Sequence, residues 1–99
     1  MSDNNVILIA KVKAKPGMED LVLKELMALV SQTRSEEGCV QYNLHQSAED
    51  PSVFMFYENW SSQDALDEHI QTMHLQRVLN KADEIFDGPL DVTSWQMIS

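Results

Sequence analysis

Residues 53 to 60, Val-Phe-Met-Phe-Tyr-Glu-Asn-Trp, most constrain what this chain can fold into. They begin after Pro51, end at Ser61-Ser62 and are rich in aromatics, which marks a β-strand. A period of two puts Phe54, Phe56, Glu58 and Trp60 on one face and Val53, Met55, Tyr57 and Asn59 on the other. Neither face is polar, so both need cover. A carboxylate in line with Phe, Phe and Trp must be exposed at an end, paired, or retained for a site. Nine residues after Trp60 comes His69, then His74, on an amphipathic helix and the turn after it. If that helix packs back on the strand, a glutamate, an indole and two imidazoles converge on one apolar space.

The rest of the chain supplies the partners this strand needs. Val6 to Ala14 reads as a strand that ends at Pro16-Gly17. A helix is predicted from about Met18 to Arg34, with Val22, Leu26 and Leu29 as its stripe and Leu23, Met27 and Val30 widening it. Cys39 to Gln46 is a second strand, with Val40, Tyr42 and Leu44 on one face. Ser61 is placed to cap the helix that carries Ala65, Leu66, His69 and Ile70. Gln71-Thr72-Met73 breaks or bends it before a second segment through Leu75, Val78, Leu79, Ala82, Ile85 and Phe86. Gly88-Pro89 stops that segment, and Leu90 to Ile98 is a last strand.

The order β-α-β-β-α-β is that of an α+β, ferredoxin-like sandwich, with a four-stranded antiparallel sheet and helices on one face. Ninety-nine residues make one domain, 1–99. The strands are apolar on both sides, so the bare sheet face calls for a second copy, and a homodimer is expected. A net charge of −9 argues against nucleic acid and anionic membrane, both of which need a basic face. No window approaches the length of a membrane span, and Met1 to Asn5 lacks the basic start of a signal peptide. A lone Cys39 gives no intramolecular disulfide, so a cytoplasmic protein is expected.

Several segments together resemble the antibiotic biosynthesis monooxygenase family, small dimeric α+β barrel proteins with quinol monooxygenases among them. They are Lys15-Pro16-Gly17, Glu37-Gly38-Cys39, Tyr57-Glu58-Asn59-Trp60, Asp67 through His74, and Gly88-Pro89. Where similar proteins often carry proline, this chain has Met73. The resemblance implies a cofactor-independent monooxygenase that oxidises a small reduced aromatic, a quinol or anthrone-like compound, with molecular oxygen. His69 or His74 would be the base, Glu58 its orienter and Trp60 a wall of the pocket. Phe56, Tyr42 and Asn59 complete the candidate substrate contacts, Asn59 only if the strand bulges.

His74 lies about 140° further round a continuous helix than His69, so the two meet only if the helix breaks. Two histidines and a glutamate could also ligate a metal. However, HExxH and comparable spacings are missing, so neither metal nor cofactor is expected. An isomerase of a small phosphorylated carbonyl compound and a non-catalytic ligand-binding dimer stand as alternatives. Family fixes fold better than reaction.

Overall fold

The computed structural model describes residues 5–99; Met1 to Asn4, part of the stretch read for a leader, lie outside the described residues. The elements follow as β1 (Val6–Lys13), α1 (Glu19–Thr33), β2 (Cys39–Gln46), β3 (Val53–Trp60), α2 (Gln63–Ile70), α3 (Met73–Asn80), α4 (Ala82–Ile85) and β4 (Asp91–Trp95). The four strands form one antiparallel sheet in the order β2-β3-β1-β4. The strand that anchors the sequence pattern is thus central, flanked by β1 and β2. This is the α+β ferredoxin-like arrangement the element order predicts. Among the described residues no helix is long and apolar enough to cross a membrane.

Alternation along β1 and β3 sorts the side chains between two faces. Leu8, Ala10 and Val12 of β1 lie opposite Glu58, Phe56 and Phe54 of β3, and these six turn toward the helices. Val22, Leu26, Leu29 and Val30 of α1 close over them from above. Leu23 and Met27, expected to widen the buried stripe, are exposed instead, because one helix over a sheet buries only a narrow arc. The opposite sheet face carries Ile7, Ile9, Met55, Tyr57 and Trp95. Trp95 is more than half exposed among the described residues.

One irregularity matters for the site. Between Cys39 and Gln41 the β2–β3 register shifts: Cys39 faces Trp60 and Gln41 faces Asn59, leaving Val40 as the extra residue of a bulge. Val40 is therefore 51% exposed, not aligned with Tyr42 on the buried face as simple alternation predicts. Beyond the bulge the register brings Tyr42 opposite Glu58 and Leu44 opposite Phe56.

Candidate active site

A cavity of about 280 Å³ lies between the sheet and the helices. Leu8, Ala10 and Phe56 belong to its sheet side, and Leu26, Leu66 and Val78 to its helix side. Polar atoms among its lining side chains come only from Tyr42, Glu58 and His69. Ile70, Leu90 and Val92 both line the cavity and are exposed, so it reaches the surface between α2 and β4.

His69 reaches this cavity because of how α2 starts and stops. Ser62, one residue later than predicted, caps the helix: its hydroxyl accepts from the Ala65 N–H at 3.1 Å. Gly38, with φ +89°, lets the start of β2 press against α2 at Ala65. The helix ends at Ile70, and Thr72 begins the next one. Its hydroxyl accepts from the Leu75 N–H at 3.3 Å and donates to the His69 carbonyl at 2.8 Å. The break is therefore built by Thr72 and does not need a proline at Met73, the first residue of α3. It swings His74 round until its ring lies 6.3 Å from that of His69.

The group that joins the two histidines is Glu36, in the turn between α1 and β2. A single carboxylate oxygen, Oε2, lies 2.8 Å from His69 Nδ1 and 2.5 Å from His74 Nε2. A carboxylate accepting from both rings fixes His69 with its proton on Nδ1 and His74 with its proton on Nε2. The lone pair of His69 is then left on Nε2. The side chains are 3% (His69), 12% (Glu36) and 18% (His74) exposed. Burial holds the His69 pKa below its usual value despite the nearby Glu36 charge, which favours the neutral ring. The Trp60 ring stacks on it at 4.5 Å and Tyr42 meets it edge-on at 5.4 Å.

Glu58, expected to orient a histidine, does something else. It accepts from the Trp60 indole N–H at 3.0 Å, the neighbour two residues along the same strand face. Burial raises its pKa, opposed by that hydrogen bond and assisted by the charge of Glu36. Trp60 is fully buried behind His69 and does not line the cavity, so it backs the imidazole where a pocket wall was expected. Asn59 stays on the opposite sheet face, because the bulge falls in β2 and leaves β3 regular. His74 belongs to the Glu36 cluster but not to the cavity lining. Phe56 and Tyr42 line the cavity. Burial, then the Glu58 charge, raises the Tyr42 phenol pKa, keeping it a neutral donor.

Sequence reasoning missed Glu36. A signal was available: an anion just beyond the C-terminus of a helix opposes the helix dipole and needs another partner.

The antibiotic biosynthesis monooxygenase model matches residues 5–81, most of the chain. The chain belongs to that family. YcnE of Bacillus subtilis, whose monooxygenase name is provisional, is 33% identical over 92 residues, covering 93% of this chain and 97% of YcnE. The crystal structure of PA3566 from Pseudomonas aeruginosa superposes with a TM-score of 0.92 at 31% identity, covering 97% of this chain and 96% of PA3566. Rv0793 from Mycobacterium tuberculosis does so with a TM-score of 0.89 at 28% identity, covering 96% of each chain. For this member of the antibiotic biosynthesis monooxygenase family, fold and family are established together, and the site geometry carries the chemistry.

Proposed function

We propose that this family member is a cofactor-independent monooxygenase that oxidises a small reduced aromatic, a quinol in preference to a larger polycycle. The observation that carries the reading is an imidazole set into an apolar cavity, with its far nitrogen held by Glu36. His69 Nε2 takes the acidic proton of the bound substrate. Glu36 accepts from Nδ1 and stabilises the imidazolium that forms. The substrate anion supplies the electrons to dioxygen. One oxygen atom enters the ring system and the other leaves as water. The apolar lining excludes bulk water from the intermediates. Tyr42 and Phe56, which line the cavity, pack on the ring.

A volume of about 280 Å³ sits near the lower edge of ligand pockets, about 300–1,000 Å³, which suits one or two fused rings. The lining contains no lysine or arginine and does contain Glu58, which speaks against a phosphorylated substrate and hence against the isomerase alternative.

The working unit is a homodimer, formed through the sheet face that bears Ile7, Ile9, Met55, Tyr57 and Trp95. Sedimentation should give twice the chain mass, and a folded monomer at micromolar concentration would remove this part.

Oxygen uptake against a panel of benzoquinols, naphthoquinols and anthrone tests the activity. Turnover with one oxygen consumed per substrate is expected. Proton exchange without oxygen uptake would instead indicate an isomerase, and tight binding without either a non-catalytic module.

A further inference from the structure

The Glu36 cluster has a property that the oxidation chemistry does not use. Its three donor atoms, Glu36 Oε2, His69 Nδ1 and His74 Nε2, come from three separate segments and lie within 4.8 Å of one another. They face each other, while His69 turns its remaining nitrogen away from them. The arrangement is held from outside: Trp60 stacks on His69, and Thr72 fixes the break that brings His74 in.

We propose that Glu36, His69 and His74 form a binding site for a divalent first-row transition-metal ion of the zinc or cobalt class. Two imidazoles and one carboxylate are the donors such borderline ions take. Magnesium and calcium favour all-oxygen sets, and copper(I) favours sulfur. Metal–ligand bonds of about 2.0–2.2 Å at tetrahedral angles put neighbouring ligands roughly 3.3–3.6 Å apart. The two Glu36 contacts of 2.8 and 2.5 Å must lengthen by about an ångström, and the two ring nitrogens, within 4.8 Å of each other, must close by a similar amount. Glu36 sits in a turn, so its side chain can withdraw by that much without moving a helix or strand. Three protein ligands leave at least one position for water, on the side where His74 is partly exposed.

Occupation rearranges protons without any redox change. Each imidazole gives up the proton it shares with Glu36, keeps or takes one on its other nitrogen and offers the freed lone pair to the ion. For His69 this means that Nδ1 binds the metal and Nε2 becomes an N–H. The cavity-side base is then blocked, so the ion acts as an inhibitor. This consequence rests on the proposed base role of His69; the binding site itself does not. Glu36 is 33 residues from His69 and fits no metal motif, so this set of three comes together only in the fold.

The test uses the full chain, freed of metal with a chelator and titrated with zinc chloride by calorimetry and cobalt chloride by absorption. Expected is one equivalent per chain. Affinity should fall more than about 100-fold, beyond the roughly 10–100-fold that loss of an outer-shell partner costs, in both Glu36→Gln and His74→Gln. It should be unchanged in His45→Gln, whose histidine is exposed on β2. In case a variant misfolds, ring nitrogen-15 shifts of the wild type serve as a second measurement: zinc should move His69 Nδ1 and His74 Nε2 and leave His45 unmoved. No stoichiometric binding, or binding that leaves those two nitrogens unshifted, overturns the site. Zinc bound at these nitrogens without loss of oxygen uptake keeps the site and rejects His69 as the base. Absent binding with intact uptake rejects the site alone.

Discussion

Replacing Gly38 with alanine should unfold this protein more readily than the same change at Gly17, by an amount the geometry sets. Both glycines have positive φ, +89° and +86°, so each alanine incurs about 1–2 kcal/mol for a left-handed backbone. Each also recovers about 0.4–1 kcal/mol from a less flexible unfolded chain. At Gly17 nothing lies within 4 Å of the added carbon. At Gly38 that carbon falls 2.5 Å from Ala65 Cβ and 3.0 Å from Ser61 Oγ, against an ordinary carbon contact of about 3.5–4.0 Å. A methyl on a helix cannot rotate aside, so α2 or the start of β2 must shift. Overpacking of this kind costs about 1–3 kcal/mol. The excess of Gly38→Ala over Gly17→Ala should thus be about 1–3 kcal/mol. For a domain of this size that lowers Tm by roughly another 5–20 °C. Thermal unfolding of the three proteins at one concentration measures it, with concentration fixed so that any association acts equally. Because α2 carries His69, turnover per folded Gly38→Ala molecule should fall too. Equal melting temperatures for the two variants would refute the close packing of Gly38 on α2.

Two further changes probe the site's supports. Glu58 has its pKa raised by burial, so between about 4.5 and that raised value the folded state holds more protons than the unfolded one, and stability falls as pH rises. Glu58→Gln keeps an acceptor for the Trp60 N–H without the buried charge. It should therefore match the wild type near pH 4 and gain on it toward pH 8 in denaturant midpoints; a difference independent of pH would contradict this. Thr72→Ala removes the cap of α3 and a hydrogen bond to the His69 carbonyl, so it should cost about 1 kcal/mol, with a range of about 0.5–2. Calorimetry reads that loss, and a neutral substitution would mean that something else holds the break between the helices.

What could be read from the sequence was mostly what local periodicity encodes. The apolar run on both faces of residues 53 to 60 marked a β-strand, which the sheet order places between two others, and Gln71-Thr72-Met73 marked the helix break. The Val40 bulge was not legible, because no glycine or proline signals it and only the β3 partner fixes the register. The last strand is shorter than its apolar letters suggest, Asp91–Trp95 against 90–98, since only β1 pairs with it. Within the site, His69 and His74 stood out by chemistry and spacing. Their shared partner did not, because Glu36 approaches them only once α1, β2 and the helix break are all in place. The Glu58–Trp60 bond was within reach: residues two apart on a strand share a face, and an indole N–H is the nearest donor.

In the proposed reaction His69 acts as a base and is more than a packed core residue. The most direct measurement is turnover of His69→Gln with the quinol the wild type oxidises, alongside its melting temperature. A loss of roughly 10²- to 10⁴-fold in turnover is expected, the usual worth of a general base, with the fold nearly as stable as before. A variant that keeps its activity per folded molecule but loses about 1–3 kcal/mol of stability would contradict it and leave His69 as a structural partner of Glu36.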